Sequence, residues 1–241
     1  MSDLCTLADA VMYEGYMLWP YRPSALKNRL RWTFGCGFPP AWSAVHPDDA
    51  ASMRTQVLLE SDPHDVEVTV RFLQEGVERS VGRGPFAFGA VAGVVEVEAE
   101  GQRLTVTIRN TTPWVGEDRE EALRHALCST HTLLVGGRFV SATEAAGCEN
   151  VGTWPVLVGA DSMLSSPIIL EDHPRIAPES PGDLFDGGEI DGLLALNILA
   201  LTDEEKAEMR TTDPRAREIL ERTEALTEEQ LWRLSGYRLE R

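Results

Sequence analysis

The stretch Val91-Ala-Gly-Val-Val-Glu-Val-Glu98, followed after a short break by Leu104-Thr-Val-Thr-Ile-Arg109, decides the fold class of this chain. Apolar and polar residues alternate over Val95–Glu98 and throughout the second segment, which is typical of strands that bury one face. Glu100-Gly101-Gln102 lies between the segments and is typical of a turn. The two segments are therefore predicted to pair as a β-hairpin.

The same alternation occurs upstream in Asp65–Phe72, where Val70 and its apolar neighbours share one face of a predicted strand. Helical spacing and acidic starts predict helices from His46 to about Leu59 and over Glu117–Leu127. Leu4–Tyr16 is predicted to be a short strand or a single helical turn. Three further strands are predicted downstream: His131–Val135, Trp154–Val158 and Ser166–Leu170.

The last part of the chain has a different composition. Three prolines within Asp172–Asp183 predict an extended ribbon, and capping boxes that begin at Thr202 and Thr227 predict helices. The predicted fold class is α+β, with a β-rich antiparallel body followed by a proline-rich ribbon and an α-helical C-terminal tail. The predicted division is a β-rich main domain with an aromatic N-terminal segment (1–171) and a ribbon and helical tail packed on it (172–241).

Composition excludes several classes of protein. The 241 residues include 22 Lys and Arg against 39 Asp and Glu, for a net charge of −17, which argues against nucleic-acid binding and a polybasic membrane anchor. No apolar run approaches the ~20 residues of a membrane span, and Met1–Ala10 lacks the basic residues of a secretory leader. The four cysteines include no CxxC pair and are expected to be free thiols. These features predict a cytoplasmic protein.

The N-terminal segment has the composition of an interaction surface. Its first 42 residues carry four basic and three acidic side chains and about half of all the aromatic residues. Tyr, Trp and Arg are enriched at protein interfaces, so partner binding is one hypothesis, and packing of these aromatics on the body is the other. The candidate partner-binding residues, including two in the ribbon, are Tyr13, Tyr16, Tyr21, Arg22, Lys27, Arg31, Trp32, Arg175 and Asp183.

The run His125-Ala-Leu-Cys128-Ser-Thr-His131 is a candidate metal site. On one helix, His125 and Cys128 would share a face and bind one ion such as zinc, with His131 as a third ligand and Cys36 or Cys148 as a fourth. The alternative is a late-helix histidine near backbone carbonyls and a small buried cysteine. The sequence lacks GxSxG, GxxxxGK[ST] and HExxH motifs. No catalytic residue is therefore assigned, and a role other than catalysis is favoured.

Two long motifs carry a resemblance to a known group. They are Tyr13-Glu-Gly-Tyr-Met-Leu-Trp-Pro-Tyr-Arg-Pro-Ser-Ala-Leu-Lys-Asn28 and Met163-Leu-Ser-Ser-Pro-Ile-Ile-Leu-Glu-Asp-His-Pro-Arg-Ile-Ala-Pro-Glu-Ser-Pro-Gly-Asp-Leu-Phe-Asp186. With them, the chain resembles a bacterial, notably actinobacterial, protein family that is often encoded beside uptake [NiFe] hydrogenase genes. It departs from the family at Ser235, where a histidine is expected, and in a shorter segment between Val140 and Asn150.

The resemblance implies an accessory or assembly protein that binds a hydrogenase subunit, its precursor or a maturation factor. It implies no cofactor and transfers no catalytic residue. The second hypothesis is a metal-binding protein or metal-dependent enzyme that uses His125, Cys128 and His131. A third is a small-molecule hydrolase, kept only because β-rich folds host many chemistries.

Overall fold

A computed structural model describes residues 3–12, 35–174, 198–212 and 214–227 of the chain. These residues fall into two compact units. The first contains residues 3–12 and 35–174, and the second contains the described residues from 198 onward.

Two antiparallel sheets form the first unit, which confirms the predicted β-rich α+β class. One sheet has the strand order β1-β6-β5-β4 and the other has the order β3-β2-β7-β9-β8. β5 and β6 pair as the predicted hairpin, but Glu100, which was assigned to the turn, belongs to β5 and pairs with Arg103 of β6. The strands are β1 (Ser52–Leu58), β2 (Glu67–Gln74), β3 (Val77–Val81), β4 (Gly84–Phe88), β5 (Val91–Glu100), β6 (Arg103–Asn110), β7 (Cys128–Val135), β8 (Trp154–Leu157) and β9 (Ser162–Ser166).

The two sheets pack face to face around an apolar core. Val70 and Phe72 of β2 enter this core with Leu134 of β7 and Val95 and Val106 of the opposite sheet. Burial of these aliphatic and aromatic side chains supplies the main free energy of folding, at about 25 cal/mol per Å² of apolar surface. The inward face of β2 is therefore the one that the alternation predicts.

The other face of the five-stranded sheet is covered by helix α1 (Asp3–Val11). Leu4, Leu7, Ala8 and Val11 recur at i, i+3, i+4 and i+7, so they form one apolar face, which packs on β7, β8 and β9. The sequence predicts a short strand or a single helical turn over Leu4–Tyr16, whereas α1 is a nine-residue helix. Because α1 lies on this face, Arg71 of β2, which alternation places toward solvent, becomes buried.

The prediction of a helix from His46 to about Leu59 is wrong. A short helix, α2 (Pro40–Ser43), precedes it, and β1 occupies the second half of the predicted range. Met53, Thr55 and Val57 alternate as buried positions along β1, which pairs with β6 through its whole length. The acidic start at Asp48 and Asp49 was therefore outweighed by period-2 burial against the other sheet.

The region after β6 begins with helix α3 (Arg119–Arg124), which is shorter than predicted. Asp118 caps it, since its carboxylate accepts a hydrogen bond from the Glu121 N–H at 2.9 Å. The helix ends at Arg124, and β7 already begins at Cys128. The strand predicted over Ser166–Leu170 instead ends at Ser166, where Pro167 removes the next backbone donor.

The second unit contains helices α4 (Asp203–Thr212) and α5 (Pro214–Glu224). The capping box predicted at Thr202 is confirmed: the Thr202 hydroxyl accepts from the Glu205 N–H at 3.3 Å, and the Glu205 carboxylate accepts from the Thr202 N–H at 2.9 Å. The helix predicted after the capping box at Thr227 lies outside the described residues. Arg210 of α4 pairs with Glu224 of α5 at 2.6 Å. None of the helices within the described ranges is long and apolar enough to cross a lipid bilayer.

Candidate functional site

The nine predicted partner-binding residues lie outside the described residues. They are Tyr13, Tyr16, Tyr21, Arg22, Lys27, Arg31, Trp32, Arg175 and Asp183. The residues that flank residues 13–34 are described, and both are held by β7. The Met12 carbonyl accepts from the Ser129 hydroxyl at 2.5 Å, and the Gly35 carbonyl accepts from the Thr130 N–H at 3.1 Å.

Position 35 requires glycine at this attachment. Its φ is +56°, in the left-handed region, and a Cβ there would lie 2.5 Å from the Pro167 side chain.

The start of the predicted ribbon is attached as well. The Asp172 carboxylate accepts from the Leu157 N–H at 2.8 Å and from the Ser141 hydroxyl at 2.5 Å.

The three predicted metal ligands occupy separate surroundings. His125 follows α3 and its ring stacks on Trp114, whereas Cys128 is a buried residue of β7 with its Sγ 4.0 Å from the Leu123 carbonyl. His131 is buried on the α1 side of the sheet. Across the described residues, no group of three or more His, Cys, Asp or Glu side chains could hold a metal ion. Because α3 ends at Arg124, Cys128 and His125 do not share a helix face.

A set of five side chains links α1 to β2, β3 and β7. We name it the buried polar cluster after its buried members Arg71, Ser129 and His131, which are joined by the exposed carboxylates of Asp9 and Glu78. Arg71 is its centre, and its guanidinium donates to Asp9 at 2.5 Å and to Glu78 at 2.8 Å. Burial acts to lower the pKa of Arg71, but the bonds to these two carboxylates outweigh it and raise the pKa. Arg71 thus stays charged and joins α1 to strands β2 and β3.

His131 lies opposite Arg71 on the neighbouring strand and is completely buried. Burial, together with the nearby Arg71 charge, lowers the pKa of His131 from 6.5 to about 3. The imidazole is therefore neutral at physiological pH. Its Nδ1 has no hydrogen-bond partner among the described residues.

Ser129 and His131 form a serine–histidine pair, with 3.2 Å between Oγ and Nε2. The Ser129 hydroxyl donates its only proton to the Met12 carbonyl at 2.5 Å. His131 Nε2 must then carry the proton and donate it to Ser129, which leaves Nδ1 as a bare acceptor. This direction is opposite to the one in which a histidine base activates a serine nucleophile. The pair therefore acts as an attachment point for the end of α1.

Sequence reasoning did not select Asp9, Arg71 or Ser129. Alternation places Arg71 on the solvent-facing side of β2. It is buried in the structure because helix α1 covers that side, which no local pattern predicts. Ser129 has a φ of +47°, an unusual conformation for a residue other than glycine, and no sequence signal marks it. A buried cluster of this kind depends on contacts between residues far apart in the chain.

A second group of side chains, named here the ring cluster, consists of Phe38, Trp42, His46, Trp114 and His125. The His46 ring stacks on Trp42 with centroids 3.6 Å apart, and Trp114 stacks on His125 at 5.4 Å. The two indole rings are tilted against each other at 6.3 Å. The described rings thus form a continuous packed series that includes half-buried members.

Arg119 of α3 supports this series on one side. Its guanidinium lies over the Phe38 ring at 5.3 Å and contacts the Asp49 carboxylate at 3.3 Å. Asp49 also accepts a hydrogen bond from the Trp42 indole N–H at 2.9 Å. One carboxylate therefore joins an arginine and a tryptophan, a combination of residue types that is enriched at protein interfaces.

Asn110 holds together the segments that carry the rings. Its buried side-chain amide donates to the carbonyls of Gly37 and His125 at 2.9 and 2.7 Å, and its oxygen accepts from the Thr112 N–H at 2.8 Å. Gly116 completes the arrangement, because a Cβ at that position would lie 2.4 Å from the Trp114 ring. The segments that carry the rings are therefore held by the buried Asn110 amide and by the close approach of the Trp114 ring to Gly116.

Two large apolar side chains next to the rings in the sequence are strongly exposed. Val45 is 69% exposed and Val115 is 82% exposed. Single exposed apolar residues are common on proteins, but exposure beside half-buried rings and an arginine is typical of interaction sites. Among the described residues, the ring cluster is therefore the strongest candidate for partner binding.

No protein-family model matches this chain, and no curated protein matches its sequence.

Proposed function

We propose that this chain is a cytoplasmic accessory or assembly protein for an uptake [NiFe] hydrogenase and that it acts by binding a protein partner rather than by catalysis. The observation that carries the binding role is the ring cluster, in which the half-buried Trp114 packs at a tilt against Trp42, Arg119 lies over Phe38, and Val115 is exposed next to Trp114 in the chain. Tryptophan and arginine are the residues most enriched among those that dominate binding energy.

The identity of the partner rests on the resemblance carried by Tyr13–Asn28 and Met163–Asp186. The proposed partner is a hydrogenase subunit, its precursor or a maturation factor. Tyr21, Arg22 and the other candidate residues in or next to these motifs are proposed to contribute to partner binding. The attachment of Met12 and Gly35 to β7 supports this proposal, since both ends of the aromatic segment are joined to a rigid sheet.

The direct test is capture of the partner by the full chain. Tagged protein would be co-expressed with the large and small subunits and the maturation factors of an uptake [NiFe] hydrogenase, and bound proteins would be identified. Trp114→Ala is expected to weaken capture by about 30-fold or more, the effect of losing a central interface tryptophan. Trp154→Ala, which removes an exposed tryptophan of β8, is the matched control and should capture normally.

A second pair of variants tests the aromatic segment. Tyr21→Ala and Arg22→Ala are expected to reduce capture without lowering the melting temperature. An equal loss of folding in both variants would instead show that this segment packs as part of the core. Failure of every hydrogenase component to bind would reject the proposed function.

The metal-binding hypothesis is tested on the same purified sample. Stoichiometric zinc, nickel or iron that disappears in Cys128→Ser, without any bound protein, would replace the present proposal with the metal-dependent alternative. We do not favour that alternative, because His125, Cys128 and His131 are held in different surroundings.

A further inference from the structure

The charges around the ring cluster are strongly unequal. The segments that carry the rings also carry the exposed carboxylates of Asp48, Glu117 and Glu120. None of these three makes an ion pair with another described residue. We name them the acidic rim. Their negative charge is not compensated by the neighbouring arginines, because those arginines already have carboxylate partners.

The two arginines nearby are Arg119 and Arg124. Arg119 contacts Asp49 at 3.3 Å, and Arg124 contacts Glu121 at 3.0 Å. Each arginine is thus already matched with a carboxylate from the same surface. The acidic rim therefore carries uncompensated negative charge on the same segments that carry the exposed Val45 and Val115.

The rings form a packed surface and do not enclose a cage for a small cation. Trp42 is buried, with His46 stacked on its ring and the ring of Trp114 tilted against it. The apolar groups that remain exposed are Val45 and Val115. A ligand that matches both features must be long enough to place an apolar side chain beside the valines and cations beside the rim.

We infer that the ring cluster docks a basic, amphipathic segment of the partner protein, with lysine or arginine side chains against the acidic rim and an apolar side chain against Val115 and Trp114. This inference rests on the proposed function and names the chemistry of the partner. An acidic segment would be repelled by the rim, and nucleic acid would be repelled through its phosphates. Basic side chains would also gain cation–π attraction from the exposed part of Trp114.

The first experiment uses synthetic peptides as probes of the full chain. One peptide contains lysine and leucine, a second of equal length and charge contains lysine and serine, and a third contains glutamate and leucine. The lysine–leucine peptide is expected to bind most tightly and to lose affinity as salt is added. Equal binding of the lysine–serine peptide would overturn the inference, because the apolar contact would then have no role.

The matched variants separate a local effect from net charge. The rim variant combines Asp48→Asn, Glu117→Gln and Glu120→Gln, and the control variant combines Glu67→Gln, Glu98→Gln and Asp161→Asn at other exposed positions. The rim variant is expected to bind the lysine–leucine peptide about tenfold more weakly, from three exposed charge contacts. The control should differ from the unmodified chain by less than about twofold. Equal weakening in both variants, or none in either, would overturn the inference.

Hydrogenase capture distinguishes the two proposals. If a hydrogenase component is captured equally well by the rim variant and the unmodified chain, the proposed function stands and the basic-segment inference fails. If the rim variant loses the peptide but no hydrogenase component binds the unmodified chain, the inference about the surface stands and the proposed partner is wrong.

Discussion

The buried polar cluster contains an arginine, an aspartate and a histidine, and the ring cluster contains two histidines and is supported by an arginine and an aspartate, but these residue types have different roles in the two places. Arg71 is only 10% exposed in its side chain and contacts Asp9 at 2.5 Å, whereas Arg119 is 41% exposed and contacts Asp49 at 3.3 Å. His131 is buried beside Arg71, and burial and that charge lower its pKa to about 3. His46 and His125 remain half-buried among rings.

This difference shows that burial, more than residue type, decides whether arginine, aspartate and histidine side chains stabilise the fold or leave a surface accessible for binding. In the buried polar cluster the charged contacts attach α1 to the sheet, where an unpaired charge would be costly. In the ring cluster the arginine lies over Phe38 and its pairing leaves the apolar surface accessible beside it. We therefore expect changes in the first cluster to alter stability and changes on the exposed part of the second to alter binding.

The largest expected effect on stability is at Asn110, a buried residue that holds the segments of the ring cluster. It marks a limit of this comparison, because a change in support of the ring cluster then alters stability as well as binding. Asn110→Ala leaves the carbonyls of Gly37 and His125 without their side-chain donor and is expected to lower the free energy of unfolding by about 2–4 kcal/mol. Urea denaturation would measure it, with the exposed neighbour Thr111→Ala as control. A loss below about 1 kcal/mol would show that these segments are held by other contacts.

The second prediction concerns pH. The unfolded chain protonates His131 below about pH 6.5, whereas the folded chain resists protonation until about pH 3, so the stability is complete above pH 7 and falls as pH decreases between these values. The expected slope from this residue is about 1.4 kcal/mol per pH unit. His131→Gln should flatten the unfolding free energy measured in urea between about pH 6.5 and 4.5. An unchanged slope would show that His131 is protonated in the folded chain.

The third prediction separates strain from hydrogen bonding at Ser129. Ser129→Ala removes the bond to the Met12 carbonyl but keeps a side chain at a φ of +47°, whereas Ser129→Gly removes both the bond and the backbone strain. The alanine variant should be less stable than the glycine variant by about 1 kcal/mol in urea denaturation. Equal stability of the two variants would mean that the conformation of Ser129 carries no penalty.

The smallest effect on stability is expected at Val115. This side chain is 82% exposed, so Val115→Ser should change the free energy of unfolding by less than about 0.5 kcal/mol. Capture of the protein partner should nevertheless decrease, because the exposed apolar contact is lost. A large fall in melting temperature would place Val115 among the residues that stabilise the fold, and would remove it from the proposed interface.

Much of the β-sandwich could be predicted from local pattern. The β5–β6 hairpin and the inward face of β2 follow from alternation, and the Thr202 capping box follows from two residues three positions apart. The helix predicted over His46–Leu59 failed because its start signals were local, whereas β1 is determined by pairing with β6. The candidate sites were less predictable, since neither cluster is built from one continuous motif.

The sequence by itself determined the α+β class, the hairpin and the excess of negative charge, because alternation, turn residues and net charge are properties of neighbouring residues or of composition. Only the tertiary structure decided that Arg71 and His131 are buried and that Trp42 and Trp114 meet. Burial requires a second element to cover the first, and ring contacts require two segments brought together by folding. Both conditions depend on residues distant in the chain.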